Sequence, residues 1–174
     1  MMDNGQLEKK NLLRVIVDGL SDAAGYFSAI AILLATLAIV HQVVVRYVLN
    51  YPTIWQIEFA IYLLMAATFI GAAYGLKEDS HINIELVSGL LPKRIKVWLD
   101  LVTSVISLFF CLYIAWKGSI MWWEAYEGDW HSSSLWSVPL VYPYAILPIG
   151  MGLTCLQYVV KIGDRIKKLK NISG

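Results

Sequence analysis

Charge, cysteine and histidine are all scarce in this 174-residue chain. Charged residues make up 16% of the sequence and hydrophobic residues 58%, a balance too apolar for an ordinary soluble domain. The formal net charge of +1 gives no indication of nucleic-acid binding. The two cysteines, Cys111 and Cys155, form no CxxC motif, and their positions inside apolar runs favour core packing over redox chemistry.

The three histidines, His41, His81 and His131, are scattered along the chain, so the sequence lacks the facing pairs that a two-haem membrane cytochrome requires. It also lacks a glycine-rich phosphate loop, a nucleophile elbow, an HExxH motif and any ligand spacing typical of a metal site. We therefore predict neither an enzyme nor a cofactor-binding protein.

Four apolar runs are each long enough to cross a lipid bilayer, which requires about 20 helical residues. They cover residues 23–45, 55–76, 97–116 and 138–160, and the third predicted helix can continue as far as Trp123. Because the linkers are short, we predict an all-α integral membrane protein with four transmembrane helices, in a single domain over residues 1–174.

The basic residues predict the orientation of these helices. Of the 14 Lys and Arg residues, 12 lie in the N-terminal segment, the second linker and the C-terminal tail. Short segments rich in Lys and Arg stay in the cytoplasm, so both termini are predicted to be inside. We also predict an amphipathic helix over residues 7–20, with a frayed polar tail as the alternative, and an interfacial helix in the second linker, residues 77–96.

Two carboxylates lie inside the apolar runs. Glu58 is the only charged residue of the second run, and a charge in lipid is costly unless it faces a partner, a cavity or the interface. We expect Glu58 to pair with Arg46, across the proline turn before this run, or with a basic or amide group of another subunit. Asp100, one turn into the third run, is expected to reach the headgroups or to pair with a nearby Lys or Arg.

Small residues form stripes along the first two predicted helices, where they would let helix backbones approach closely. The stripe of the first helix consists of Ser28, Ala31, Ala35 and Ala38. The stripe of the second helix includes Gly71 and Gly75. We expect these faces to pack tightly against neighbouring helices.

The third linker is rich in tryptophan and acidic residues. Since tryptophan prefers the headgroup level, we predict that this linker lies on the outer membrane surface. Its candidate docking residues for an outer partner are Trp123, Glu124, Glu127 and Asp129. The alternative is a plain interfacial anchor without a docking role.

Several short motifs, in this order and across nearly the whole chain, resemble the DctQ-like small membrane subunits of tripartite ATP-independent periplasmic (TRAP) transporters. The matching positions are Arg46-Tyr47, Trp55-x-x-Glu58, Gly71-Ala72-Ala73, His81-Ile82-x-Ile84-Glu85, Leu135-x-x-x-Pro139 and Pro148-x-Gly150. One departure is Gln56-Ile57, where many members carry an additional acid before Glu58.

The resemblance implies a role in the bacterial inner membrane. Such a subunit binds a larger membrane subunit that carries substrate and sodium, while a soluble periplasmic protein delivers an organic acid such as a dicarboxylate or a sialic acid. The small subunit would act as a scaffold within the lipid bilayer. Two other interpretations stay open from the residues alone: a stand-alone proton-coupled carrier that uses Glu58, and a membrane redox or assembly subunit.

Overall fold

In a computed structural model of the chain, residues 4–78 and 93–173 are described, and they form four long helices. These are α1 (Asn4–Tyr47), α2 (Gln56–Glu78), α3 (Lys93–Glu127) and α4 (Val141–Ser173). All four are long and apolar enough to cross a membrane, and the described residues contain no strand beyond one isolated bridge. The predicted all-α fold with four membrane-spanning helices is therefore confirmed.

The helices differ from the predicted spans mainly at their ends. The surface helix expected over residues 7–20 is the first part of α1, which runs without interruption into the first span, so the frayed-tail alternative is wrong. The helix expected in the second linker lies largely outside the described residues. α3 does not stop where the apolar run stops at Trp116, nor at Trp123, but continues to Glu127.

The four helices pack in the spatial order α1, α2, α4, α3. One end of the bundle, here called the loop end, carries the connections 48–55 and 128–140. The other, the terminal end, carries the first residues of α1 and the last residues of α4. Residues near the start of α1 also reach α4 at the terminal end.

A close contact at a glycine marks each interface in this order. A Cβ atom on Gly71 would lie 2.5 Å from Ser28 Oγ, between α1 and α2. A Cβ atom on Gly150 would lie 2.5 Å from the carbonyl group of Phe69, between α4 and α2. Between α3 and α4, a Cβ atom on Gly118 would lie 2.9 Å from Cδ2 at the end of the Leu147 side chain. Gly150 therefore permits contact with the backbone of α2, and Gly71 and Gly118 make room for side chains of the neighbouring helices.

The small-residue stripe of α1 faces the interior, as the sequence predicts. Its four members are buried: Ser28, Ala31, Ala35 and Ala38. Residues on the other side of the same helix, such as Leu33 and Leu37, are 59% and 55% exposed. Because only 22–28% of the most apolar stretch of each helix is buried, most of the hydrophobic surface needs a bilayer or another protein to cover it.

Candidate functional site

Glu58 lies at the loop end, in the first turn of α2. The chain reaches it from α1 through a tight reversal in which Asn50 has a φ of 54°, a left-handed conformation that asparagine tolerates. In the first turn of a helix the backbone N–H groups are unpaired and the helix dipole favours negative charge. Local structure therefore explains why a carboxylate is tolerated here, but it does not provide side-chain partners.

Those partners come from the loop 128–140, which folds as a small hairpin. His131 and Pro139 form an antiparallel bridge, flanked by hydrogen bonds from Ser132 N–H to the Val138 carbonyl (2.9 Å) and from Leu140 N–H to the Trp130 carbonyl (2.8 Å). Two residues of this loop have a left-handed backbone conformation: Asp129 (φ 46°), just before the paired residues of the hairpin, and Ser137 (φ 50°), in the turn within it. The hairpin carries a run of three serines towards α2.

Two of these serines hold Glu58. Ser132 donates a short hydrogen bond from Oγ to Glu58 Oε1, and Ser134 donates from Oγ to Oε2 at 2.8 Å. The serines are themselves fixed, because Ser134 N–H donates to Ser132 Oγ (3.3 Å) and Trp136 N–H donates to Ser134 Oγ (3.1 Å). We call Glu58, Ser132 and Ser134 the serine clamp. Each carboxylate oxygen receives a charge-assisted hydrogen bond, which joins the hairpin to α2.

An aromatic cluster centred on Trp55 lies next to the clamp. The ring centroids of Trp55 and Trp136 lie 6.2 Å apart, and the ring of Phe59 meets Trp55 edge-on at 5.7 Å. On its other side Trp55 contacts the ring of His41, near the end of α1, at 6.3 Å. Rings of this kind add packing energy at the headgroup level of a membrane. Trp55 therefore ties α1, α2 and the hairpin together.

The expected pair between Glu58 and Arg46 does not form. Arg46 is exposed in the last turn of α1, and it makes no ion pair with any described residue. Its charge is favourable there for a local reason, because the unpaired carbonyl groups at the end of α1 attract a cation. Within the described residues, the hydroxyl groups of Ser132 and Ser134 are the partners of Glu58, and a further partner on another subunit stays a prediction.

The remaining predicted residues of the second run lie apart from this clamp. Gly71 contacts α1 at Ser28, whereas a Cβ atom on Gly75 would meet nothing within 4 Å. Gly75 therefore takes no part in packing within the described chain, and its role at an interface with another protein stays a prediction. His81 lies outside the described residues.

The terminal end holds a second polar network. Asp100 is buried, and Arg165 of α4 places a guanidinium nitrogen 3.3 Å from its Oδ2 atom, an ion pair without a hydrogen bond to that oxygen. This confirms the expectation that Asp100 pairs with a basic residue. Arg14 of α1 forms a bidentate ion pair with Asp164 of α4, with distances of 3.0 Å from Nη2 to Oδ2 and 3.2 Å from Nη1 to Oδ1.

Further contacts extend this network from α1 to α2 and α4. Lys77 of α2 pairs with Asp22 of α1. Gln157 of α4 donates from Nε2 to Asp18 Oδ1 (3.2 Å) and accepts from Ser21 Oγ at 3.1 Å. Together these polar contacts fix the terminal ends of α1, α2 and α4 to one another.

The candidate docking residues lie at the loop end, along the last turns of α3 and the start of the hairpin. All four are exposed: Trp123, Glu124, Glu127 and Asp129. The ring of Trp123 packs beside Trp122 and Tyr126, at centroid distances of 6.3 and 5.9 Å. The acidic groups are thus available to another molecule, and docking itself stays a prediction.

Sequence reasoning missed the serines of the clamp. The available signal was the run Ser132-Ser133-Ser134 in an otherwise aromatic and apolar linker. It also missed the pairs of Arg14 with Asp164 and of Lys77 with Asp22, because each joins residues from distant parts of the chain.

The four apolar helices, their tightly packed glycine contacts and the polar networks at both ends define a multi-pass membrane protein whose polar groups serve to join helices. Comparison with known protein families identifies the family of membrane proteins to which the chain belongs. Residues 35–168 match the family model described as tripartite ATP-independent periplasmic transporters, DctQ component. The chain belongs to this family, a transporter component rather than an enzyme, and is a multi-pass protein of the bacterial inner membrane.

Two curated relatives come from Vibrio cholerae serotype O1. The C4-dicarboxylate TRAP transporter small permease protein DctQ is 25% identical over 146 residues, 71% of this chain and 62% of the relative. The sialic acid TRAP transporter small permease protein SiaQ is 31% identical over 91 residues, 52% of this chain and 50% of the relative. The matched regions thus span about half to three-fifths of the length of these relatives.

Proposed function

We propose that this chain is the small membrane subunit of a sodium-driven, binding-protein-dependent transporter for organic acids, and that it acts as a static scaffold for a large transport subunit. Family membership supports the transport role, and the names of the two relatives point to a C4-dicarboxylate or a sialic acid as substrate. A soluble periplasmic binding protein would deliver the substrate.

The observation that carries the scaffold role is the series of glycine contacts through the bundle. Gly150 lies against α2 backbone and leaves no room for a Cβ atom, while Gly71 and Gly118 lie close under side chains of the neighbouring helices, Ser28 and Leu147. Packed interfaces of this kind resist sliding, since any relative movement of the helices breaks many close contacts at once. A bundle joined in this way suits an anchor better than a moving carrier domain.

A stand-alone carrier that uses Glu58 has no specific observation in its favour. A carrier exposes its binding site alternately to the two sides of the membrane. Glu58 is instead held at one end of the bundle by Ser132 and Ser134, whose hydroxyl groups occupy both of its oxygens. The carboxylate serves as an attachment point for the hairpin.

The uptake experiment separates the two roles. Purified chain is placed in vesicles with a sodium gradient and labelled organic acids, with and without the large subunit and the binding protein. We expect uptake only in the complete system. Gradient-driven uptake by this chain alone, abolished by Glu58→Gln, would establish the carrier and exclude the scaffold.

We also propose that both termini lie in the cytoplasm, on the strength of the basic residues in the terminal segments. Single cysteines in place of Ser133, in the hairpin, and Ser173, at the end of α4, test this in intact cells. A membrane-impermeant thiol reagent should label position 133 and spare position 173. The opposite pattern would reverse the orientation.

The exposed acids of the loop end would face basic patches on the binding protein. Reversing Glu124, Glu127 and Asp129 together should then slow transport more at low salt than at high salt, because exposed charges are screened within about 10 Å at 0.1 M salt. An effect that does not depend on salt would leave only the role of an interfacial anchor.

A further inference from the structure

Lys117 lies at a depth where a charged side chain is unusual. It is on α3, next to Gly118, whose close contacts are with Leu147 and Pro148 of α4. These two residues lie in the stretch from Val141 to Val160, which carries no charge over 20 residues and is about 30 Å long. Pro148 is seven residues from the start of that stretch, so Lys117 lies about 10 Å inside it, measured from the loop end.

The second neighbour of α4 gives a similar depth. Gly150, two residues beyond Pro148, packs against the backbone of Phe69 and Ile70. These residues are near the middle of α2, which runs from Gln56 to Glu78. Both contacts therefore place Lys117 level with the apolar interior of the neighbouring helices, well below the hairpin and the serine clamp.

The ammonium group of Lys117 lies near the ring of the preceding residue. Its Nζ atom lies 5.5 Å from the centre of the ring of Trp116, the residue one position closer to the terminal end. Lys117 is exposed on the bundle surface, and it forms no ion pair within residues 4–78 and 93–173. Contact with one indole ring offsets only part of the cost of placing a cation in hydrocarbon.

A groove lies between the loop-end half of α3 and α4, and it reaches Lys117 only through Trp116, whose ring is in contact with that lysine. Its one charged lining residue among the described ones, Glu124, lies about two helical turns closer to the loop end than Lys117. Its volume is about 730 Å³, and its walls include Trp116, Ile120 and Trp123 of α3 with Pro148 and Ile149 of α4. Trp116, Trp123 and Ile149 are 63%, 52% and 57% exposed. Exposed tryptophan side chains are typical anchors at protein interfaces, where they supply large contact areas with few rotatable bonds.

We propose that the groove between α3 and α4 receives a transmembrane helix of the large subunit, and that a carboxylate on this helix pairs with Lys117. A phospholipid phosphate fits less well, because it lies at the headgroup level rather than about 10 Å deeper. An acidic side chain on a partner helix can be at the same depth, where the pair neutralises both charges. This inference rests on the proposed function, since it assigns a surface and a complementary charge to the large subunit.

The test is co-purification of the large subunit with affinity-tagged chain, solubilised in mild detergent from membranes that contain both. Lys117→Glu should lower the recovered large subunit at least about tenfold, because it places two acids together at a buried interface. Lys117→Met, which keeps the length of the side chain without its charge, should give a smaller loss. Lys167→Glu, at an exposed position near the terminal end of α4, makes the same charge change as a control and should retain wild-type recovery.

A rescue experiment identifies the partner residue. Each acid in the transmembrane segments of the large subunit is exchanged for lysine and tested with Lys117→Glu. One exchange should restore recovery with this variant while it weakens recovery with the wild-type chain. Thermal unfolding of each variant in detergent, in the absence of the large subunit, shows that the loss does not come from misfolding.

The outcomes separate this inference from the proposed function. If the wild-type chain recovers no large subunit, the proposed function itself fails. If the wild-type chain recovers it and Lys117→Glu does so equally well, the proposed function stands and the pairing is wrong. Equal losses for Lys117→Glu and Lys167→Glu would also contradict the pairing, because they would reflect overall charge rather than a particular site.

Discussion

The serine clamp predicts that Glu58, together with the contact between Trp55 and Trp136, holds the hairpin 128–140 onto the bundle. Glu58→Gln keeps the size of the side chain and one acceptor oxygen, but it removes the charge and one acceptor. Hydrogen bonds to charged groups contribute about 1.5–3 kcal/mol each. Since one bond is lost, the other is weakened and the site is half-buried, we expect local opening of the hairpin to become easier by about 2 kcal/mol.

Hydrogen exchange of the hairpin amides measures this opening. The amides of Ser132 and Leu140 are hydrogen-bonded across the hairpin and should exchange when it opens. A change of about 2 kcal/mol corresponds to exchange about 30 times faster in Glu58→Gln. Glu127→Gln removes the same charge from an exposed position at the loop end, so its exchange should stay close to that of the wild type.

A double-mutant cycle tests whether the serines are the partners. Replacing both Ser132 and Ser134 by alanine should accelerate exchange to a similar degree, and adding Glu58→Gln to that variant should change little more. Additive effects would mean that Glu58 and the serines act separately. Equal exchange in Glu58→Gln and Glu127→Gln would refute the clamp.

Two further predictions concern the packing of the helices. Gly150→Ala should lower the free energy of unfolding in detergent by about 1–3 kcal/mol, and with it the unfolding temperature, because its Cβ would lie 2.5 Å from α2 backbone. Gly152→Ala, whose Cβ would meet nothing within 4 Å, should be neutral or stabilising, and equal temperature shifts for the two variants would contradict the close packing. Asp100→Leu should destabilise the bundle, because the Arg165 side chain is only 17% exposed and would keep its charge without a partner. Adding Arg165→Met should restore much of the lost stability. A further loss in the double variant would show that the ion pair is not the relevant interaction.

Local patterns in the sequence predict the helices and one of their packing faces. An apolar run of about 20 residues crosses a membrane as a helix, because every backbone group then finds a partner within the segment. The spacing of Ser28, Ala31, Ala35 and Ala38 places them on one side of α1, and that side is buried. Both features depend on residues close together in the chain.

The partners of the buried charges depend instead on the tertiary fold. Glu58 and Ser132 are 74 positions apart, and they meet because the hairpin folds back onto the start of α2. The nearer cation, Arg46, was the more obvious partner from the sequence, yet it stays at the end of its own helix. The geometry of the hairpin decides which residue reaches Glu58, and no local sequence pattern specifies that geometry.

The end of α3 shows a different limit of the sequence. The apolar run stops at Trp116 because Lys117 follows it, and hydropathy therefore places this lysine in a surface linker. The helix continues to Glu127 because the backbone can continue past a lysine, which is a good helix former. The depth of Lys117 becomes visible only through the contact between Gly118 and α4.

The central claim is that the bundle stays rigid while the transporter works, and a disulfide between α1 and α2 tests it most directly. A Cβ atom on Gly71 would lie 3.0 Å from Ser28 Cβ, close enough for a bond between cysteines after a small adjustment. The pair Ser28→Cys and Gly71→Cys is introduced with the buried native cysteines Cys111 and Cys155 replaced by alanine, and the complete transporter is reconstituted. We predict equal uptake before and after reduction of the disulfide; uptake that stops on oxidation and returns with reductant, while the single Ser28→Cys variant is unaffected, would contradict the scaffold.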